Sequence, residues 1–305
     1  MFEARKITDI LQNSPFTRSV EIFPPRNGKP PSLILDKIER LSKMNLDFVS
    51  ITKGAGGSHR GGTVPIGFMI GDRYGLNPLV HFRARDLSKR DVENHLVDHF
   101  YFGIKNILAV MGDPIAGMPD QPPDPETHHR FASDLVHQIR DMNRGRYMRL
   151  HNDPPDTVRD GVAADFCIGV ASYPEREDMS LEYTIMEQKR EAGADFGITQ
   201  MCFDATTYGR YVDTLKDRGV DIPVIPGIRP VTRLAHVDAA ERIFGAAVPP
   251  ELKRKLEGKD EQSAREVCLD FTVSLCREMR AQGAPGVHLF ILNDVDIAGD
   301  VLRDI

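Results

Sequence analysis

A glutamate inside an apolar run is the first residue of this chain with a reason to do chemistry. Glu21 stands in Ser19-Val20-Glu21-Ile22-Phe23, which stops against Pro24-Pro25-Arg26. The alternation and the β-branched residues predict a strand, and the two prolines end its hydrogen-bond ladder, so the acid falls near the strand's C-terminal end. A carboxyl removed from water favours its neutral form, and an acid that keeps its proton near neutral pH can serve as a general acid. The alternative is an edge-strand glutamate facing water.

Other polar residues close apolar runs in the same way. Thr52 and Lys53 end the run at 48–52, His81 and Arg83 the run at 78–84, and Gly112 and Asp113 the run at 106–111. Tyr173 follows 166–172, Gln200 lies in 196–203, and Asn293 follows 287–292. Singly, each could be a rim residue that satisfies a strand end. If the strands share one mouth, the set argues for a site with an acid, imidazole, cations and amides around one ligand.

The elements that would bring them together can be read from period. Strands are expected at 19–23, 48–52, 78–84, 106–111, 166–172, 196–203, 222–228 and 287–292, and helices at 32–44, 87–102, 130–142, 180–192, 205–218, 233–244 and 261–282. Eight strand–helix units in 305 residues predict right-handed crossovers closing into a single (β/α)8 TIM barrel, an α/β fold, spanning 1–305 as one catalytic domain. No Gly-x-Gly-x-x-Gly follows the first strand, which removes the usual mark of an open dinucleotide-binding sheet. Within 261–282, Val267, Phe271 and Leu275 recur at four-residue steps, and Gly283 with Pro285 ends the helix. Within 87–102, Ser88 and Asp91 stand at capping-box spacing ahead of a Val92, Leu96 and Phe100 stripe.

Three irregular stretches stand out. The proline-rich 114–127 follows the fourth strand, on the side where a barrel carries its active site, and reads as a lid or substrate wall. The glycine-rich 54–62 follows the second strand on the same side; as a phosphate loop it lacks the Gly-Lys-Ser/Thr ending. Residues 143–164 are polar, follow a helix, and read as an insertion at the opposite rim without chemistry.

Composition excludes several classes. A net charge of -6 gives no general attraction to nucleic acid or anionic membrane, and no apolar stretch approaches the roughly 18 residues of a spanning helix. The N-terminus shows no signal-peptide core, so a soluble cytoplasmic protein is expected. Cys167, Cys202, Cys268 and Cys276 lie in apolar stretches without Cys-x-x-Cys spacing, which predicts buried free thiols. The histidines are scattered, so no metal is expected. Whether the chain forms a homo-oligomer is left open.

The same residues carry a family resemblance. Glu21 to Arg26 resembles the opening motif of the methylenetetrahydrofolate reductases, Met111-Gly112-Asp113-Pro114 their Arg-Gly-Asp turn, and Ala192 to Gln200 their sixth-strand motif. Tyr173-Pro174-Glu175, Pro226-Gly227-Ile228 and the stretch from Ser274-Leu275-Cys276 through Leu292-Asn293 continue the match, in order, from about residue 19 to 294.

The resemblance implies a barrel enzyme of one-carbon metabolism and methionine biosynthesis. It would reduce 5,10-methylenetetrahydrofolate to 5-methyltetrahydrofolate with NADH or NADPH as hydride source and FAD as carrier. It implies Glu21 as general acid, Asp113 near flavin and pterin, Gln200 and Asn293 on the folate, and Thr52, His81, Gly112, Asp113, Ala132, Tyr173 and Lys189 as flavin contacts. The departures cluster on the flavin side. Met111 stands for the family's arginine, Arg176-Glu177-Asp178 continues a motif that elsewhere carries His-Pro, Ile185 and Gln188 replace an Asn and an Arg, and Asp294 replaces the arginine after Leu-Asn. Losing two charge-assisted hydrogen bonds at about 1.5–3 kcal/mol each would weaken flavin binding by two or more orders of magnitude, unless Lys53, Arg83 or Arg176 substitutes. The reading adopted from the sequence is a flavin-dependent reductase; the alternatives are a reductase with direct hydride transfer from the nicotinamide, and a barrel that binds folate or moves its methyl group.

Overall fold

The computed structural model describes residues 3–58, 61–114, 124–150, 152–154 and 157–305. The elements run α1 (Ile7–Asn13), β1 (Thr17–Ile22), α2 (Ser32–Leu41), β2 (Phe48–Ile51), α3 (Thr63–Tyr74), β3 (Pro78–Arg83), α4 (Lys89–Tyr101), β4 (Asn106–Val110) and α5 (Ala132–Asn143). They continue β5 (Arg146–Met148), β6 (Val158–Asp160), β7 (Cys167–Ser172), α6 (Met179–Ala192), β8 (Phe196–Met201), α7 (Ala205–Asp217) and β9 (Val224–Ile228). Last come α8 (Leu234–Phe244), α9 (Pro250–Leu256), α10 (Glu261–Ala281), β10 (Gly286–Phe290) and α11 (Val295–Arg303).

Eight parallel strands close in the order β1-β10-β9-β8-β7-β4-β3-β2, the barrel expected from the repeat of strand and helix periods. Successive side chains of a strand face opposite ways, so every second residue looks into the barrel. Its lower interior is filled by Phe48, Leu79, Leu108, Cys167, Phe196, Ile198 and Ile225, with Ile7 of α1 packed on them. Helix α1 closes that end: the backbone N–H of Ile7 donates to Asn106 Oδ1 and that of Arg5 to Asn77 Oδ1, each at 2.9 Å. The opposite, C-terminal end is therefore the one left to receive a ligand.

The capping box of α4 forms as its sequence predicts, with Ser88 and Asp91 exchanging hydrogen bonds, and Val92 and Leu96 are fully buried. In α10 the buried face is centred on Ala264, Cys268, Thr272, Cys276 and Met279; Leu275 of the expected stripe is buried with it, and Val267 and Phe271 are only half-buried at its edge. The expected stripe was offset because this helix is also flanked by α9 and α11. Residues 143–164 contain the antiparallel β5–β6 hairpin. It leans on α4, where Glu93 accepts a hydrogen bond from Met148 N at 2.6 Å and pairs with Arg159 at 3.3 Å, so the insertion does not stay at the far rim. All four cysteines are buried free thiols. Among the described residues no helix is long and apolar enough to cross a membrane.

Candidate active site at the barrel mouth

Alternation along each strand decides what reaches the mouth. Continuing upward from the lower interior layer, Ser19 and Glu21 of β1, Ser50 and Thr52 at β2, His81 and Arg83 of β3, and Gly112 beyond β4 fall on the inner face. Tyr173, Gln200, Arg229, His288 and Phe290 continue the set around the ring.

Glu21 is 8% exposed. Its Oε2 lies 3.4 Å from His81 Nε2 and 4.0 Å from His288 Nε2. Each imidazole is oriented by a serine: His81 Nε2 is 2.7 Å from Ser50 Oγ, and His288 Nδ1 is 2.8 Å from Ser19 Oγ. Since the Ser19 hydroxyl donates to Val287 O at 3.1 Å, its remaining role toward His288 is to accept, which puts the ring proton on Nδ1. Burial lowers the pKa of His81, against the raising effect of the Glu21 charge, so the ring is neutral around pH 7. The arrangement is a shielded carboxyl flanked by two imidazoles, able to hold and move a proton at one point of the mouth.

Asn293, expected on the substrate, is engaged elsewhere. Its Oδ1 accepts from Phe23 N at 2.8 Å and its Nδ2 donates to Phe23 O at 3.1 Å, so the amide clamps the end of the strand that carries Glu21. The clamp uses a left-handed backbone at Leu292 and Asn293, with φ of 48° and 67°. Gln200 Oε1 accepts from its neighbour Met201 N at 2.9 Å. Asp113 is exposed, and its Oδ2 accepts from Gly56 N at 2.9 Å, tying the glycine-rich run to the end of β4.

The positions carried over for a flavin form a tightly engaged group. The Arg83 side chain fills the volume that a Cβ at Gly112 or Gly54 would need, and it pairs with Asp86. Arg85 Nε donates to Gly112 O at 2.8 Å. Lys189 is 5% exposed, gives its ammonium to Ala171 O at 2.7 Å, and is pushed down to about 8 by burial. Arg176 Nε lies 2.8 Å from the fully buried Glu182 Oε2, close though not aligned as a hydrogen bond. The Tyr173 ring is bracketed by Arg176 at 5.0 Å and Lys189 at 6.0 Å, and burial raises its phenol. Ala132 opens α5, half-buried. Thr52 alone of this set presents a buried hydroxyl without a partner.

His288, Ser19, Ser50 and Arg229 were not singled out from the sequence. A histidine at an inward register of an apolar strand, Val287-His288-Leu289, was the available signal. Residues 115–123 of the proline-rich stretch, and His59 and Arg60 of the glycine-rich run, lie outside the described residues. Among the described residues no group of three or more His, Cys, Asp or Glu could hold a metal ion.

The comparisons with known proteins agree with this architecture. The chain is 29% identical over 285 residues to methylenetetrahydrofolate reductase 1 of Schizosaccharomyces pombe, covering 91% of this chain and 44% of that one. It is 28% identical over 288 residues to the 5,10-methylenetetrahydrofolate reductase of Escherichia coli, covering 92% and 87%. A solved structure from Clostridium thermocellum, described as an uncharacterized protein that binds two copies of 5-methyl-5,6,7,8-tetrahydrofolic acid, shares the fold with a TM-score of 0.65 at 13% identity, over 99% of this chain and all of that one. The profile of the methylenetetrahydrofolate reductases matches residues 6–305, and the chain belongs to that family.

Proposed function

We propose that this chain reduces 5,10-methylenetetrahydrofolate to 5-methyltetrahydrofolate with NADH or NADPH as the hydride source. The observation that carries the reading is Glu21, shielded in the barrel mouth between His81 and His288. The methylene carbon of the substrate bridges two nitrogens in a five-membered ring. A proton from Glu21 to the departing nitrogen breaks one carbon–nitrogen bond and leaves an iminium on the other. The iminium carbon then accepts a hydride and becomes the methyl group. Gln200 and Asp113, on the inner face and rim, are the groups for the pterin, and His81 and His288 hold the acid in place.

FAD is the carrier that the family resemblance implies, and among the described residues most of the cations at the positions carried over for it are engaged within the chain. Of the cations near the positions carried over for its diphosphate, Lys189 and Arg176 are committed to Ala171 and Glu182 and Arg83 lies over Gly112, while Lys53 rests over the Phe82 ring at 5.1 Å without an ion pair among the described residues. Among the described residues, the unpartnered Thr52 hydroxyl and the Lys53 ammonium are features that a flavin would satisfy. The engagement of Lys189, Arg176 and Arg83 favours the direct transfer of hydride from the nicotinamide to the folate, and no step is routed through a flavin.

The test is the purified protein with NADH or NADPH and methylenetetrahydrofolate, following nicotinamide oxidation and 5-methyltetrahydrofolate by chromatography. Turnover by a colourless preparation, unchanged by added FAD, supports direct transfer. A yellow protein bleached by NADH returns the flavin to the mechanism. Folate binding without nicotinamide oxidation assigns the barrel to methyl transfer or sequestration.

A further inference from the structure

Arg229 follows β9 directly and is 8% exposed, and among the described residues it makes no hydrogen bond or ion pair. Its Nε is buried with no partner. The inward side chains of β9 are Ile225, which packs in the lower interior, then Gly227, then Arg229 at the mouth. The registers run Leu289 with Ile228 and Glu21 with Phe290, so Arg229, Phe290 and Glu21 stand side by side on three successive strands. Two strand spacings, about 10 Å, separate the guanidinium's strand from that of the carboxyl.

A buried cation ordinarily has a counter-charge, because removing it from water is costly without one. Here the neighbouring groups give none. His236 is held down first by burial and then by the positive charges of Arg229 and Arg233, so this side of the mouth is cationic. Asp294, whose charge opposes that effect on His236, caps α11 by accepting from Ile297 N at 3.3 Å. A guanidinium kept in this state, on the inner face of the mouth that also carries Glu21, has the form of a receptor whose partner arrives with the ligand.

We propose that Arg229 is a further ligand-binding residue of the mouth, receiving an oxyanion of the molecule whose reacting carbon sits at Glu21. The inference rests on the folate reading given above. With the bridging carbon at Glu21, one aromatic ring and its amide reach across Phe290 to Arg229, which makes a glutamyl carboxylate of the folate the group that fits. A nucleotide phosphate of the nicotinamide coenzyme is the other source of the same chemistry.

The test uses the full chain with Arg229→Met, which keeps the length and removes the charge, and Arg229→Lys. Calorimetry gives dissociation constants for 5-methyltetrahydrofolate, for the same compound with both glutamyl carboxylates converted to amides, and for NADH. Arg229→Met is expected to weaken 5-methyltetrahydrofolate at least tenfold and leave the diamide unchanged, with Arg229→Lys between. A loss confined to NADH also supports the oxyanion receptor and assigns it to phosphate. Unchanged constants for all three, or equal losses for folate and diamide, overturn it. A second measurement needs no ligand: relieved of a buried unpaired charge, Arg229→Met should melt a few degrees above the wild type, and a lower melting point would make Arg229 structural and overturn the proposal. Wild-type protein that binds neither folate nor NADH would sink the folate reading, and the melting comparison would still judge Arg229.

Discussion

Glu21 and His288 meet across neighbouring parallel strands, with Oε2 of the acid 4.0 Å from Nε2 of the ring, and His81 Nε2 stands 3.4 Å from the same oxygen. The two rings reach the acid from β10 and β3, so three strands converge on one oxygen. Ser19 and Ser50 fix the rings from within β1 and β2. The carboxyl is thus held by side chains whose own orientations are fixed, which is what proton delivery to one atom of a substrate requires.

Glu21→Gln should separate binding from chemistry. Glutamine keeps the volume, and His81 keeps its bond to Ser50, so folding and folate binding should stay near wild type. Without a transferable proton, turnover should fall by roughly 10²-fold or more, the scale of general acid catalysis. Single-turnover rates and folate affinity of the variant check this. Turnover like that of the wild type would remove Glu21 from the mechanism.

Asp113→Asn should be milder. The exposed Asp113 carboxylate holds Gly56 N at 2.9 Å, a bond that an asparagine oxygen can also accept. Turnover should exceed that of Glu21→Gln by about tenfold or more, since no general acid is lost. Asp113→Ala also frees the glycine-rich run and should raise the KM for folate relative to Asp113→Asn. Equal KM values for the two variants would show that the Gly56 contact plays no part in binding.

The eight barrel strands were readable because a strand inside a barrel repeats every two residues, and the polar residues read at the ends of all but β9 then fell at the mouth. What was missed has physical reasons. Helix α3 is apolar on most sides and carries Gly67, where a Cβ would stand 2.7 Å from Val80 Cγ2, so close packing on β3 replaced the period that marks a helix. Asp294 looked like a lost contact to ligand, and it is the N-cap of α11. The reading of Pro226-Gly227-Ile228 stopped one residue short of Arg229, whose inward direction follows from Ile225 by the same alternation. Asn293 was legible as a mouth residue, but its bond to Phe23 joins positions 270 apart in sequence, which no local pattern reveals.

Gly169→Ala tests the packing beneath the site. Gly169 is paired in register with Phe196, and a Cβ there would run into the Phe196 ring. A rigid ring in a filled barrel has little room to yield, so the substitution should destabilise by about 1–3 kcal/mol. Adding Phe196→Leu makes room for the methyl, and the pair should cost less than the sum of the single changes. Urea unfolding of the four proteins measures the coupling, and strict additivity would place the strain elsewhere.

The last prediction concerns acid stability and rests on His99, a 1% exposed residue of α4 whose ring lies 5.3 Å from that of Phe82. Its Nδ1 is 2.5 Å from His95 O and so carries the ring proton, while Nε2 is buried without a partner. A second proton would have to enter at Nε2, where nothing accepts it. Burial therefore pushes the ring down to about 4, partly opposed by the His95 hydrogen bond and reinforced by the charge of Lys53. In the unfolded chain the ring takes up its proton near 6.5. Between these values the unfolded state binds more protons, so stability is unaffected above about 6.5, declines as pH falls, and levels off below about 4. The full contribution is roughly 3 kcal/mol, and the part spent between pH 7.5 and 5 roughly 2 kcal/mol. His99→Leu should lose that much less than the wild type over this interval, even if the broken bond to His95 lowers its stability at pH 7.5. Urea midpoints at the two pH values decide the matter: parallel losses in both proteins would place the acid sensitivity in another group.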